Sequence, residues 1–460
     1  MNNPHDLTQG SIARHLVRLT IPMFLGISSM IVASMIEMIY IGWIGTLELA
    51  AVSFTMPLVM AISSVSMGLG VGATSIMSRI LGGGERDRCI LIGTHTLLLV
   101  VLAIAVVAVV GYVYAPETFA ALGAGDELLP LTVEYIRIWY LGLIFFTIPM
   151  VGGSMLRALG DAKTPGILMV AGAVIQVIIA PMLIFGVGSW DGLGFLGSAW
   201  SFLISRLVIF VVTMAVFGRV GLLRRPGSLS GIFASWREVM RIGVPSMAAS
   251  LVGPASMGIL IGILARHGHV IVAAFGVAVR IEMLAIMILM SLSSSVSPFA
   301  GQNWGARQYG RIRKSLTLSY RFSILWGIFI FGLLAIFGQV IVGFINDDPR
   351  VVEVTYEYLL IVPLTYGLMG VGSMAASCFV ALGRPMPSLV ISVTRMIVVT
   401  VPLALIFDFY WGPTGVFVAT AIANIGTGSL GFFWIRSAVP TSDPEPATAD
   451  RGRPAMGARQ

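Results

Sequence analysis

The chain has 460 residues, of which 57% are hydrophobic and only 11% are charged, and its mean hydropathy is +0.94. These values exclude an ordinary water-soluble globular protein and indicate an integral membrane protein. The net charge is +7, but no folded basic module with interleaved aromatic residues accompanies it. Nucleic-acid binding is therefore not expected.

Long apolar runs follow one another along the chain, and each is long enough to cross a bilayer as a helix. The first run is too long for the core of a signal peptide and has no small-residue cleavage site after it, so it is interpreted as a spanning helix. We predict an all-α integral membrane fold with twelve transmembrane helices. The predicted spans are 18–43, 52–77, 92–115, 132–157, 166–189, 193–217, 241–264, 273–300, 315–343, 355–381, 388–411 and 413–437.

The 28 basic residues are distributed unevenly about these spans. Most lie in the loops, helix ends and tails on one side, whereas Arg266 and Arg350 lie on the other. Cytoplasmic loops of membrane proteins carry such an excess of Lys and Arg. The pattern predicts a multi-pass protein of the cell (inner) membrane with both termini cytoplasmic, attracted to anionic membrane lipid.

The two halves of the chain repeat each other at a shift of 223 residues. Pro22 falls on Pro245, and the stretch SMLRALG from Ser154 falls on SCFVALG from Ser377. Six helices per half is an even number, so the repeats are parallel and form two six-helix lobes with the substrate pathway between them. We predict an N-terminal lobe (1–217), a cytoplasmic linker (218–240), a C-terminal lobe (241–437) and a disordered cytoplasmic tail (438–460).

The stretch SMIEMIYIGWIG places a carboxylate, Glu37, in the first apolar run. Glu37 lies about 9 Å inside the outer end of the predicted helix, which is too deep for a short side chain to reach the headgroups. An acid at this depth costs on the order of 2 to 3 kcal/mol. It should face the lobe interior and be protonated for part of the time, which favours an ion-coupling role. The alternative is a structural carboxylate bonded to a hydroxyl group or an arginine.

The eighth apolar run carries Arg280 and Glu282. Residues two apart point to opposite faces of a helix, so these two are poor partners for each other. Arg395 in the eleventh run is a candidate partner for Glu282. Structural ion pairing and a role beside the substrate or ion site both remain open for these three residues.

No pattern in the sequence indicates an enzyme, a metal site or a cofactor. The five histidines form no HExxH motif, and there is no nucleophile-elbow pattern. Cys89 and Cys378 fall in different halves and do not form a disulfide framework. We expect a transporter without a cofactor or a bound metal.

Several motifs together resemble the multidrug and toxic compound extrusion (MATE) family over nearly the whole chain. They are LTQGSIARHLVRLTIP, YIGWIGTLELAAVSF, GLGVGATSIMSRILGGG, LRALGDAKTP and PFAGQNWGARQYGR. The resemblance implies two six-helix lobes and export of cationic or amphipathic organic compounds, driven by inward flow of protons or sodium. It also implies that Glu37 occupies the position of a family aspartate in the first helix.

Two departures from the family pattern bear on the coupling ion. Many relatives have Asn and Asp before the proline of the fifth helix, where this chain has Gln176 and Ala180. The sodium-type branch has acids in the seventh and tenth helices, and this chain has none in the middle of either. The resemblance therefore implies an N-lobe site formed by Glu37 with Gln176 as a possible neighbour, and it favours the proton over sodium.

The resulting hypothesis is antiport by alternating access, in which a proton and a cationic drug compete for Glu37. We expect the protein to act as a monomer. The main alternative is a lipid-linked precursor flippase of the same superfamily, although such proteins usually have a cationic central cavity and often additional helices. An integral-membrane enzyme would need clustered polar catalytic residues, and the sequence shows no such cluster.

Overall fold

The computed structural model describes residues 5–222 and 231–444. Over these ranges the chain is helical and has no named β-strand. The helices are α1 (Ile12–Ile44), α2 (Thr46–Gly82), α3 (Arg86–Val113), α4 (Ala115–Ala121), α5 (Leu128–Ala158), α6 (Lys163–Phe185), α7 (Leu196–Val220), α8 (Ile232–Leu264), α9 (His269–Gly305), α10 (Tyr309–Gly343), α11 (Pro349–Ile361), α12 (Tyr366–Ala381), α13 (Pro385–Val393), α14 (Val401–Trp411) and α15 (Pro413–Ala438).

Twelve helices or helix pairs in the described residues are long and apolar enough to cross a membrane, which confirms the predicted number. Several are longer than the apolar run that predicted them, because a helix can continue beyond the hydrocarbon. At 37 residues, α2 is about 55 Å long, whereas the hydrocarbon core is only about 30 Å thick. Likewise α8 begins at Ile232, so residues 232–240 of the predicted linker are helical. Residues 223–230 of that linker lie outside the described ranges.

Two of the spans are not continuous α-helices. The tenth span consists of α11 and α12 joined by a 3₁₀ turn at Pro363–Thr365, where proline lacks the N–H that would continue the α-helix. The eleventh consists of α13 and α14 joined by a π-helical segment, Thr394–Thr400, which ends just before Pro402. π-Helical turns are rare and often occur at functional sites.

Each repeat has its fourth span at the centre of its lobe. In α5 and in the α11–α12 pair, 67% of an 18-residue apolar stretch is buried, whereas the corresponding share is 17% to 50% in the other spans. In the N-lobe, α5 packs against α2, α3 and α7, and in the C-lobe α12 packs against α9, α10 and α15. The two lobes are therefore built on the same plan, as expected for a duplicated chain.

The lobes contact each other at the end of the bundle where α2 ends and α10 begins, which we call the basic end. Helices α2 and α9 approach so closely there that a Cβ on Gly82 would lie 1.9 Å from the carbonyl oxygen of Gln302. Ser75 Oγ donates a hydrogen bond of 2.5 Å to the carbonyl of Val380 in the other lobe. The contact between the lobes extends to the middle of α1, where Ser28 Oγ lies 2.8 Å from Met287 Sδ.

The N-terminal segment helps to hold the lobes together at the basic end. Leu7 is buried, and its backbone N–H donates to Gln302 Oε1 at 3.0 Å. Gln302 Nε2 in turn donates to the carbonyl of Ala158 in the N-lobe at 2.8 Å. The segment and both lobes are thus joined through one buried glutamine side chain.

The first residues of the predicted tail are held against α10. Arg313 Nη2 donates to the carbonyl of Val439 at 2.7 Å, and the backbone N–H of Gly310 donates to Asp443 Oδ1 at 2.8 Å. The predicted disorder therefore does not apply to 438–444. Residues 445–460, on which the rest of that prediction falls, lie outside the described part of the chain.

Candidate functional site

Glu37 points into the N-lobe, where two side chains bind its carboxylate. Gln176 Nε2 in α6 donates to Glu37 Oε2 at 2.8 Å, and Ser198 Oγ in α7 donates to Glu37 Oε1 at 2.9 Å. Gln176 and Ser198 are buried and Glu37 is partly buried. Each carboxylate oxygen thus accepts a hydrogen bond from a different helix, and the two bonds connect α1 to α6 and α7.

An arginine fixes the orientation of the Gln176 amide. Arg206 Nη2 donates to Gln176 Oε1 at 3.0 Å. Because a guanidinium can only donate, the amide oxygen must face Arg206 and its NH₂ group must face Glu37. Arg206 also lies over the rings of Phe146 and Phe202, at 5.6 and 5.1 Å from their centroids. Carboxylate, amide and guanidinium therefore form one chain of contacts across the lobe interior.

The carboxylate lies on the face of α1 that is turned away from the other lobe. Ser28 in α1 contacts Met287 in α9 across the lobe interface. Glu37 comes nine residues after Ser28, or about two and a half turns, so it projects from the opposite side of the helix. The site is consequently in the N-lobe and behind α1, beside Tyr135 of α5, which stacks on Phe195 at 5.3 Å.

The contacts of the Glu37 carboxylate bear on which ions it can bind. The two groups that contact the carboxylate donate hydrogen bonds to it, whereas a hard cation needs several oxygen ligands. In the described ranges, no group of three or more His, Cys, Asp or Glu side chains is arranged to hold a metal ion. A proton on the carboxylate would neutralise it and weaken these two hydrogen bonds.

The C-lobe contains a second carboxylate with its own contacts. The hydroxyl group of Tyr358 in α11 donates to Glu282 Oε2. Arg395 lies near enough for its charge to act on Glu282, and it belongs to the π-helical segment. Ser256 Oγ in α8 donates to the carbonyl of Met396 in the same segment at 2.9 Å. Glu282 and Arg395 therefore lie close together, as the sequence suggested.

Arg280 lies apart from Glu282, as their spacing predicts. Arg280 is exposed and precedes Met287 by seven residues, about two turns, so both lie on the face of α9 that is turned toward α1. Of the predicted neighbours, only Gln176 contacts Glu37; Arg280, Glu282 and Arg395 belong to the other lobe. The roles of all five residues stay predictions.

Sequence reasoning missed Ser198, Arg206 and Tyr358. Arg206 could have been found as an arginine inside an apolar run, SFLISRLVIF, where a charge needs a partner. Ser198 precedes it by eight residues, a little over two turns, which places both near one face of α7. Tyr358 matches Tyr135 at the repeat shift, but nothing in the sequence indicates its bond to Glu282, because an aromatic residue in a membrane helix usually packs against lipid or other helices.

Comparison with known proteins agrees with this architecture. The MatE family profile matches the chain twice, over residues 22–182 and 245–406, so the two matches begin at the prolines that the internal repeat superimposes. A protein of Shewanella oneidensis described as an FAD transporter is 32% identical, covering 93% of this chain and 95% of its own. The multidrug export protein MepA of Staphylococcus aureus (strain MRSA252) is 23% identical, covering 90% and 91%.

Solved structures share the fold. The MATE transporter VcmN of Vibrio cholerae, in its bent form, aligns with a TM-score of 0.89 at 25% identity over 93% of this chain and 97% of that one. An outward-facing MATE transporter aligns with a TM-score of 0.88 at 24% identity, over 95% and 98%.

Proposed function

Since the chain belongs to the MATE family of membrane transporters, we propose that it exports organic cations or amphipathic compounds in exchange for protons. The family places the chain among transporters rather than enzymes. The observation that carries the proposal is the Glu37 carboxylate, held inside the N-lobe by Gln176 and Ser198. A titratable group at this depth, without a full set of metal ligands, is suited to binding and releasing a proton.

We propose that the two lobes give alternating access, and the way they meet supports this. Contacts at the basic end, such as Ser75 with Val380 and Gly82 with Gln302, hold the lobes together and would close that side of a cleft between them. We propose that the basic end is cytoplasmic, so that this arrangement is open to the outside. Opening of these contacts and closure of the outer half would expose the cleft to the cytoplasm.

Coupling acts through α1 in this proposal. The helix carries Glu37 on one face and contacts α9 of the other lobe through the opposite face. Protonation neutralises the carboxylate and weakens its bonds to Gln176 and Ser198, which frees α1 to change position and release a cationic substrate. The membrane potential adds about 2.3 kcal/mol per 100 mV for each net charge moved.

Efflux of ethidium from cells expressing the protein tests the proposal. Collapse of the pH gradient should stop efflux, while removal of sodium should have no effect. Efflux that depends on sodium and survives collapse of the pH gradient would contradict proton coupling.

A second candidate function is export of a flavin dinucleotide. The FAD transporter of Shewanella oneidensis is the more similar of the two relatives described above, at 32% identity. FAD carries two phosphate groups, and Arg280 is an exposed cation on the face of α9 that is turned toward the other lobe. Arg280→Gln should then reduce FAD export while ethidium efflux continues. If the variant loses FAD export and ethidium efflux equally, or loses neither, the result would contradict this candidate.

A further inference from the structure

A groove of about 920 Å³ lies on the outer surface of the C-lobe and is unconnected with the Glu37 site. Its walls are α10 and α15, which both pack against α12. The groove is mostly apolar along its length, and Tyr320 and Phe432 line it with ring centroids 5.7 Å apart. Leu325 and Phe433 at its edge are 67% and 68% exposed, so it opens toward the surrounding lipid.

The length of the groove matches one leaflet of a bilayer. Its lining residues extend on α10 from Arg313 to Leu325, a rise of about 18 Å along the helix. Half of the hydrocarbon core is about 15 Å thick. A groove of this length, open to the side, fits an acyl chain of a lipid in the leaflet at the basic end.

The charged residues of the groove favour an anionic headgroup. The groove is lined by three arginines, Arg313, Arg321 and Arg436. Arg313 Nη2 donates to the backbone carbonyl of Arg436, so these two residues lie at the same level, near the mouth of the groove at the basic end. Arg321 is exposed about 12 Å farther along α10, and it makes no hydrogen bond or ion pair with any residue that the structure describes. Asp443 is also near the mouth, and it accepts a hydrogen bond from the backbone of Gly310. An unpaired arginine at this depth is costly unless an anion compensates it.

The other lobe shows that the fold does not require this basic groove. At the repeat shift, Arg313 and Arg321 correspond to Ile90 and Leu98 in α3. In the N-lobe the buried Leu222 lies against α3, and its carbonyl accepts a hydrogen bond from Thr94. Arg313 and Arg321 are therefore specific to the C-lobe groove.

We propose that the groove binds one anionic phospholipid from the leaflet at the basic end. The headgroup phosphate lies between Arg436 and the Arg321 guanidinium, whose long side chain reaches back along α10 toward the headgroups. One acyl chain lies along the apolar part of the groove. The site is independent of the transported substrate and of the coupling ion.

Native mass spectrometry of the purified full chain tests this site, with dioleoylphosphatidylglycerol and dioleoylphosphatidylcholine as probes. We expect the wild type to retain the anionic lipid preferentially. The double variant Arg321→Gln/Arg436→Gln should bind it about tenfold more weakly, close to the level of the zwitterionic lipid. The matched control is Arg14→Gln/Lys314→Gln, which removes two exposed basic residues outside the groove lining.

Three results would overturn the proposal. Equal loss of lipid in the control variant would mean general attraction to a basic surface. Displacement of the lipid by millimolar glycerol 3-phosphate would mean a site for a soluble phosphate. Unchanged lipid retention in Thr317→Trp, which places a large ring in the groove, would mean that the acyl chain lies elsewhere.

Discussion

The side-chain amide of Gln176 connects Glu37 in α1 with Arg206 in α7: Nε2 lies 2.8 Å from Glu37 Oε2, and Oε1 lies 3.0 Å from Arg206 Nη2. The carboxylate and the guanidinium therefore interact through a neutral side chain rather than as a direct ion pair. This separation leaves the carboxylate able to accept a proton without displacing an arginine. The hydrogen bonds from Gln176 and Ser198 to Glu37 also make the position of α1 depend on contacts with α6 and α7 of the same lobe.

Shortening the acid should weaken coupling without removing it. In Glu37→Asp the carboxyl group is withdrawn by one methylene, about 1.5 Å, so it cannot keep both the Gln176 and the Ser198 bonds at their present lengths. We expect proton-driven ethidium efflux to fall several-fold but to remain above background. Efflux at the wild-type rate would show that these two hydrogen bonds do not affect proton coupling.

Removal of the bridging amide should destabilise the N-lobe. Gln176→Leu leaves Glu37 without one donor and leaves Arg206 without its acceptor, and each buried unsatisfied group costs about 1 to 3 kcal/mol. We expect a lower free energy of unfolding in detergent, together with reduced efflux. Ile178→Leu, on the exposed side of the same helix, is the control and should unfold like the wild type. If Gln176→Leu is as stable as this control, the network contributes nothing to folding.

A single methyl group at the basic end should prevent the two lobes from closing against each other there. A Cβ at Gly82 would lie 1.9 Å from the carbonyl oxygen of Gln302, whereas a Cβ at Gly332 meets nothing within 4 Å. Gly82→Ala should therefore reduce transport at least tenfold and make a cysteine at the buried Ser75 accessible to labelling. Gly332→Ala should behave like the wild type. Normal transport by Gly82→Ala would contradict the proposed role of this contact.

A covalent link between the lobes should stop the transport cycle. Thr20 Oγ1 lies 3.1 Å from Ser295 Oγ across the lobe interface, close enough for a pair of cysteines to form a disulfide. Because both native cysteines are buried, the background reaction should be small. Oxidised Thr20→Cys/Ser295→Cys should be inactive, and a reducing agent should restore transport. Each single variant should be active under both conditions, and an active cross-linked protein would exclude lobe separation.

Hydropathy and the internal repeat were sufficient to predict the twelve helices, because a spanning segment must satisfy its backbone internally and expose apolar side chains to lipid. They could not predict the breaks at Pro363–Thr365 and Thr394–Thr400, since proline also occurs inside continuous helices such as α1 and α6. They also could not predict that α8 would begin at Ile232. The ends of such helices are set by polar contacts outside the hydrocarbon.

The candidate site was only partly predictable for a similar reason. Glu37 stands out because a carboxylate in an apolar run is costly, and Gln176 was found by comparison with the family pattern. Ser198 carries no such signal, because a serine costs little in a membrane helix and commonly bonds to its own backbone. Its role depends on how α7 packs against α1 and α6, which is a property of the assembled lobe.

The most direct test of the account is transport by Glu37→Gln in proteoliposomes, with proton and sodium gradients imposed separately. Glutamine keeps the size of the side chain but cannot titrate, so the variant should fold and bind ethidium yet show no proton-driven uptake or release. Glu282→Gln, which removes the partly buried acid of the other lobe, should retain part of the proton-driven transport and serves as the comparison. The wild type should transport ethidium under a proton gradient alone. Proton-driven transport by Glu37→Gln at the wild-type rate would contradict the proposed role of Glu37.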